Sequence, residues 1–459
     1  MTESVADSTR QRSSSLAPDG RRLKVRVGDL NGRFTRARRA VFAALIAVYA
    51  VVPWVRINGA PLVLLDILRR RFYLFGHTFN AQDANLLFFL LAGGLLSLIV
   101  VTALVGRVWC GWACPQTVFL EGVFRRIERL VEGPRYRQQR LEAGPWNGRK
   151  ALLLGTKHAL SLGVAFLVAN VFISYFVSVE SLLQWVTGDP RAHWTAFAWM
   201  AAVTGVMYFD FMWFREQTCL ILCPYGRFQS AMTDDDTLVV GYDARRGEPR
   251  GRKGTAGAGD CVGCSRCVDV CPTGIDIREG LQLECIACAN CIDACDDIMA
   301  KLGRPAGLVR YASLRSLAGG QARLLRPRVL VYAVLLLLIA GGGALAFGAR
   351  HPFEANLIRQ QGLPYTLEGG RVRNQYLVHV FNKTPAAADF ELSVEAPAGA
   401  SALVPVPLLH LESLADQRVP VVVDMPAAAY AGAPMVVLHT RERQDGSRVD
   451  SRLRFLGPE

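Results

Sequence analysis

Twelve cysteines carry most of the chemistry this sequence could do, and all of them fall between Cys110 and Cys295 of 459 residues. Eight form two runs, Cys261-x2-Cys264-x2-Cys267-x3-Cys271-Pro272 and Cys285-x2-Cys288-x2-Cys291-x3-Cys295. This is the spacing that holds two cubane iron–sulfur clusters in bacterial ferredoxins. Three thiolates two residues apart wrap one face of a cube, and the fourth, three residues on, leaves the loop toward the other cluster. That crossing assigns Cys261, Cys264, Cys267 and Cys295 to one 4Fe–4S cluster, and Cys285, Cys288, Cys291 and Cys271 to the second. Zinc competes for four-cysteine sites, but zinc ribbons use two separated pairs rather than unbroken triplets. The runs depart from the pattern once, where Asp296 replaces the usual proline after Cys295. Asp296 and Asp297 there disfavour the reduced, more anionic cluster and so lower its potential, unless they are only a solvated surface pair.

The remaining four cysteines form two copies of one motif, Cys110-x3-Cys114-Pro115 and Cys219-x3-Cys223-Pro224. A spacing of four places both thiols on one helical face, and the proline limits continuation of that helix. Each pair follows an apolar stretch, so two spans deliver one pair each to the same membrane face. Four thiols there can bind a soft metal such as Cu(I), hold a cluster, or cycle between dithiol and disulfide. Buried, inert cysteines are the plain alternative. His158, entering the third span beside Lys157, is a weaker candidate as a metal ligand or proton carrier. Asp210, two to three turns before Cys219, is a candidate for redox-linked proton movement or a residue reaching the interface.

Positioning these groups requires a membrane. Half of the chain is hydrophobic and only 20% is charged, less charge than soluble domains usually carry. Five apolar stretches approach the length needed to cross about 30 Å of hydrocarbon: about 40–55, 84–105, 151–179, 194–214 and 329–347. About forty residues precede the first and further spans follow it, so it reads as no cleaved signal peptide. The tail to Arg39 holds ten basic and four acidic residues, and the 106–150 loop nine against four, which orients both to the cytoplasm and the C-terminus outside. Arg69, Arg70 and Arg71 resist this topology; they snorkel from a partly embedded segment, Leu62 to Leu68. The net charge of +13 is then an orientation signal and an attraction to membrane lipid, and nucleic acid is excluded as a partner because no recognition motif accompanies the charge.

The expected organisation is a basic tail (1–39), helices 1–4 with the cytoplasmic loop (40–214), the second cysteine pair and a Gly/Arg/Pro linker (215–259), a two-cluster ferredoxin-like α+β domain (260–300), a connector (301–328), helix 5 (329–347) and an all-β immunoglobulin-like sandwich (351–459). The sandwich follows from about six or seven short apolar or alternating runs separated by Pro, Gly, Asn and Asp. It holds no cysteine. The glycine run Gly254–Gly259 reads as linker, and no nucleotide-binding fingerprint accompanies it.

The chain resembles the cytochrome c oxidase accessory proteins, the CcoG (FixG/RdxA) family. The resemblance rests on Asn31-Gly32-Arg33-Phe34, Arg70-Arg71-Phe72-Tyr73-Leu74-Phe75-Gly76, Gly106 through Thr117, Phe214 through Cys219, Cys223 through Gln229, Arg246 through Gly251, the ferredoxin cysteines and the C-terminal domain, and covers nearly everything after Asn31. It implies a multi-pass protein of the bacterial inner membrane with a periplasmic C-terminal domain. It also implies a part in assembling cbb3-type oxidases by reducing Cu(II) to Cu(I) for the oxidase copper site. Carried over, Cys110, Cys114, Cys219 and Cys223 would handle copper or relay electrons to it. Partners would be oxidase subunits, copper-delivery proteins and a cytoplasmic or quinol electron donor. Two other readings stand beside it: a quinol dehydrogenase-type membrane subunit, which would lack the C-terminal sandwich, and a non-enzymatic assembly scaffold with structural or sensing clusters.

Overall fold

The computed structural model describes residues 24–57, 59–67, 71–80, 83–323, 325–384 and 386–458. Most of the basic tail, with Arg69 and Arg70, lies outside the described residues. Among those described, five helices are long and apolar enough to cross a membrane: Arg33–Trp54, Leu86–Val105, Gly148–Ile173, Trp194–Phe214 and Pro327–Gly348. The first begins at Arg33 rather than near Ala40. Its start is set from far away, because the Asp293 carboxylate accepts from the backbone N–H groups of Phe34 (3.2 Å) and Thr35 (2.7 Å) and from the Thr35 hydroxyl (2.7 Å). These N–H groups have no partner within the helix, and Asp293 serves as an N-cap supplied by another element. Gly32 leaves room for it: a Cβ there would lie 2.1 Å from Asp293 Cγ. The third helix ends at Ile173, short of the expected Val179, and a separate helix, Val179–Thr187, follows under a Ser178 cap.

Asp293→Ala is expected to cost about 1–2 kcal/mol, the upper range for loss of a cap. The check is thermal unfolding of the purified protein; an unchanged midpoint would show that the cap is dispensable.

The chain divides into two compact units. One joins the described residues up to Pro53 with Phe89–Gly341. It contains every cysteine, most of the apolar helices, and a small hydrophobic core made of Val240, Ile275, Ile277, Ile292, Met299 and Leu308 around the ferredoxin runs. Strands Leu238–Tyr242 and Val309–Ser313 pair antiparallel on either side of those runs, so this sheet lies outside 260–300.

The other unit joins Trp54–Phe88 with Gly342–Glu459. Here β1 (Val63–Asp66), β2 (Arg71–Leu74) and β3 (His77–Asn80) form an antiparallel meander. For Arg71 this corrects the expectation of a side chain that snorkels. Asp66 pairs in register with Arg71, and the Arg71 guanidinium donates to Asp416 at 2.6 Å, so its charge is satisfied by protein rather than by a lipid interface. Nine further strands follow: β4 (Phe353–Arg359), β5 (Thr366–Glu368), β6 (Arg371–Asn382), β7 (Ala388–Glu395), β8 (Ser401–Leu403), β9 (Leu408–Leu411), β10 (Asp416–Pro426), β11 (Met435–Glu442) and β12 (Arg448–Arg454). One sheet runs β8-β10-β6-β4 with β5 beside β6, and the other runs β9-β7-β11-β12. Side chains alternate inward, and Tyr376, Val378, Val380, Phe390, Val421 and Leu438 fill the space between the sheets. The count exceeds the six or seven read from sequence because β5 and β8 are three-residue strands, too short to show a period of two.

Candidate iron–sulfur and cysteine-pair site

Gly106 ends the second apolar helix with φ +59° and sits so close to Leu238 that a Cβ would lie 2.8 Å from its carbonyl oxygen. Only glycine suits that conformation and that approach. Beyond it, Cys110 lies in α1 (Val108–Trp112), whereas Cys114 is extended (φ −61°, ψ 127°) and precedes α2 (Pro115–Phe119). The second pair is built the same way. Cys219 lies in a wide helical turn, Thr218–Leu222, and Cys223 is extended (φ −73°, ψ 111°) before α3 (Pro224–Met232). The two thiols of a pair therefore do not share one helical face. The proline decides this, because its ring drives the preceding residue out of the helical region and then starts a new helix.

The four thiols nevertheless lie close enough to feel one another's charge. Burial pushes Cys110 up to about 11, with Cys114 and Cys223 adding to the effect, and pushes Cys219 up to about 12, with Cys114, Cys110 and Cys223 adding to it. Cys114 is also raised by burial, opposed by the backbone N–H groups of Gln116 and Thr117. Gln229, with no solvent exposure, donates its amide to Cys110 Sγ at 3.4 Å. Nothing in the cysteine spacing singled out Gln229. With Cys110, Cys114 and Cys219 raised in this way, a metal taken by them would displace their protons.

The eight ferredoxin cysteines form two sets. Cys261, Cys264, Cys267 and Cys295 line a cavity of about 370 Å³ with Tyr242 and Arg278. Cys271, Cys285, Cys288 and Cys291 line a second, of about 340 Å³, which Cys267 also borders. The loops share a backbone device: Gly263 and Ser265 in one, Ala287 and Ala289 in the other, all have positive φ, between 51° and 68°. Alternating right- and left-handed residues turn successive N–H groups inward, a nest suited to an anionic group such as an iron–sulfur cluster. Three of these four are not glycine and hold a strained conformation that the loop must enforce. Among the described residues no three His, Cys, Asp or Glu side chains gather as they would around a single metal ion. A cubane takes one thiolate per iron and needs its ligands spread around a larger body, so the two sets fit 4Fe–4S clusters. Clusters held there would supply single-electron transfer.

The second set touches the turn of the first cysteine pair. A Cβ on Gly111 would lie 2.3 Å from Ile286 O and 3.0 Å from Cys288 N, so the Cys110–Cys114 turn is seated on the Cys285–Cys288 loop. Arg38, 4% exposed, ties the two together by donating to Gly111 O (2.9 Å) and to Asn290 Oδ1 (2.8 Å). Trp112 donates its indole N–H to Tyr311 Oη (3.1 Å), which donates to Ala287 O (2.5 Å). No spacing rule marks Gly111, which lies inside Cys-x3-Cys.

The other candidates stand apart from the thiols or play a local part. His158 Nδ1 lies 2.6 Å from the Tyr208 hydroxyl, so its ring partner is a phenol and not a metal-ligating side chain. Asp210 accepts from the Thr218 hydroxyl and is one of the charges that push Cys219 up. Asp297 pairs with Lys301 at 2.6 Å. Asp296 accepts from the Gly307 N–H at 2.8 Å, and its charge adds to burial and thiol neighbours in raising Cys295. Asp296→Asn should therefore raise the potential of the Cys295 set by on the order of 50 mV, as for one charge several ångströms away at intermediate dielectric. A redox titration followed by electron paramagnetic resonance measures it, and no shift would make Asp296 a purely structural residue.

Beneath the pairs lies a buried ionic network. Arg215, 2% exposed, donates to both carboxylate oxygens of Glu128 (2.8 and 3.1 Å) and lies 3.7 Å from Glu216. Arg125 reaches Glu216 (3.3 Å) and the carbonyl of Pro272 (3.1 Å), the residue after Cys271. Burial disfavours ionisation of Glu128, but Arg215 and Lys24 outweigh it and hold the carboxyl down at about 2.

With this geometry in view, three family comparisons apply. Residues 214–314 match the family described as "4Fe-4S dicluster domain", 86–134 match a "4Fe-4S binding domain", and 344–458 match the "IG-like fold at C-terminal of FixG". The Nitrogen fixation protein FixG of Rhizobium meliloti is 36% identical, over 82% of this chain and 80% of its own length. The chain belongs to the FixG/RdxA family. Protein RdxA of Cereibacter sphaeroides is 37% identical over 81% of this chain and 82% of its own, and RdxB of the same organism 36% identical over 80% and 81%. Like other members of the FixG/RdxA family, this is an iron–sulfur electron-transfer protein with two 4Fe–4S-binding domains and an immunoglobulin-like C-terminal domain. The dicluster match contains Cys219 and Cys223 with all eight ferredoxin cysteines, and the 86–134 match contains Cys110 and Cys114.

Proposed function

We propose that the protein reduces Cu(II) to Cu(I) at the four-thiol site and so assists assembly of a cbb3-type oxidase in the bacterial inner membrane. The observation that carries this reading is the seating of Gly111 on the Cys285–Cys288 loop, which leaves no intervening layer between the electron-carrying set and the Cys110–Cys114 turn. Copper is the substrate: one electron from the iron–sulfur sets converts one Cu(II), and soft thiolates favour the Cu(I) product. Gln229 orients Cys110, while the two prolines aim Cys114 and Cys223. Because Cys110 and Cys219 sit high, at about 11 and 12, copper uptake strengthens as pH rises and weakens as it falls.

Packing within each unit supports a cytoplasmic N-terminus and a periplasmic sandwich. The 54–83 segment and the C-terminal sandwich are separated by four spans and pack as one unit; the N-terminal residues near Thr35, the 106–150 loop and the ferredoxin runs, each two spans apart, pack as the other. The basic loops then face the cytoplasm. Oxidase subunits and copper-delivery proteins are the partners this function needs, with a cytoplasmic or quinol donor supplying electrons.

The test is anaerobic addition of Cu(II) to the reduced protein, with Cu(I) captured by a chelator, in wild type and in the Cys110/Cys114/Cys219/Cys223→Ser variant. Stoichiometric Cu(I) in wild type and a loss of about a hundredfold or more in rate in the variant, with iron content unchanged, is the expected result. Equal rates would sink the proposal. A second reading has its own observation, since a 4Fe–4S-binding family matches the segment holding Cys110 and Cys114. If the four thiols hold iron instead, the same variant loses iron.

A further inference from the structure

A cleft of about 870 Å³, distinct from both cysteine sets' cavities, opens beside the start of the first apolar helix. Its walls include Arg38, Arg39, Arg126, Arg129, Glu121 and Phe42. Four guanidinium groups thus face a single carboxylate, and that carboxylate, Glu121, is already paired with Arg125. Arg129 reaches Asp29 at 3.5 Å and donates to the Val27 and Gly28 carbonyls, while among the described residues Arg39 bonds the Leu30 carbonyl and Asn31 Oδ1. Arg126 meets no carboxylate among the described residues; burial and the neighbouring charges of Arg39 and Arg129 hold its pKa below the usual guanidinium value.

Arg38 supplies the independent observation. Its Nε and Nη1 are fixed by Gly111 and Asn290, so the plane of the group is set, and yet Nη2 is buried with no acceptor among the described residues. A buried guanidinium N–H without an acceptor is costly, and this one belongs to a side chain that lines the cleft. Guanidinium forks match the oxygens of phosphate in pairs. Four forks exceed what Glu121 and Asp29 can satisfy.

We propose that this cleft binds a phosphate-bearing anion, held by Arg38, Arg39, Arg126 and Arg129. The phosphate comes either from an anionic lipid headgroup at the membrane face or from a soluble organic phosphate; the cleft chemistry is the same for both. The site lies one residue from Cys291, through Asn290, and is separate from the four-thiol site.

The test uses the full-length protein in detergent, with two probes. Pyrophosphate binding is measured by calorimetry, and phosphatidylglycerol retention by native mass spectrometry after exchange through phosphatidylglycerol/phosphatidylcholine vesicles. Wild type should bind one of the two saturably at one equivalent. Arg39→Gln/Arg126→Gln should weaken it about tenfold or more, as for loss of charge-assisted hydrogen bonds, while Arg39→Lys/Arg126→Lys should weaken it less. Pyrophosphate binding identifies a soluble source and retained lipid a headgroup. Iron content at the wild-type level shows that a variant is folded; if the double Gln variant loses iron, Arg126→Glu, at the exposed edge, takes its place. Binding of neither probe, or equal binding by wild type and the charge-removed variant, overturns the proposal.

Discussion

Arg215→Met should destabilise the protein by about 3–5 kcal/mol, the cost of stripping one partner from a buried ion pair. Arg215 is the hub of the network below the cysteine pairs: it holds both oxygens of Glu128 and approaches Glu216. Methionine fills much of the volume but leaves Glu128 with only Lys24 at 3.5 Å and the charge of Arg125 among the described residues. The pH dependence gives a second signature. Glu128 is held at about 2 in the folded protein, below its unfolded value near 4.3. Its contribution is therefore fully present above about pH 4.5 and is lost as pH falls toward 2. The stability gap between wild type and Arg215→Met should be widest at neutral pH and should narrow over that acid window. Thermal midpoints measured from pH 7 to pH 3 check both statements, and a constant gap would mean that the Arg215–Glu128 pair is not its source.

Gly111→Ala should be the most damaging single methyl group in the molecule. The added carbon would sit 2.3 Å from Ile286 O and 3.0 Å from Cys288 backbone atoms, and backbone on both sides cannot yield as a flexible side chain would. The Cys110–Cys114 turn must lift off the Cys285–Cys288 loop. The expected outcome is loss of about half the iron, because one of two four-cysteine sets abuts the contact, together with loss of copper reduction. Gly163→Ala is the control, since its added carbon meets nothing within 4 Å. Iron analysis, visible absorption and the Cu(I) assay measure the effect. Full iron and full activity in Gly111→Ala would show that the seating of the two loops is not needed for electron passage.

These contacts mark the boundary between what a single chain of letters discloses and what folding adds. The two ferredoxin runs, their crossing partners, the five apolar stretches and the alternating strands of the sandwich are properties of near neighbours in sequence, where fixed backbone geometry converts spacing into direction. The extended conformations of Cys114 and Cys223 were also local consequences, of a following proline, although the four-residue spacing suggested a shared helical face. The first helix is different. Its start at Arg33 depends on Asp293, 258 residues from Thr35, and a run of arginines there reads as tail. The meander at 63–80 likewise becomes legible only when Arg71 finds Asp416, 345 residues on.

The chemistry-bearing residue types were therefore determined by the sequence, because their spacing is covalent. Only the tertiary structure decided that two pairs from different spans come within electrostatic reach of one another, that Gln229 touches Cys110 and that Gly111 rests on the cluster-binding loop. It also decided that Arg38 keeps an unsatisfied N–H beside a basic cleft. Each of these is a contact between segments far apart in the chain, set by how burial of apolar surface packs those segments together, and no local period records it.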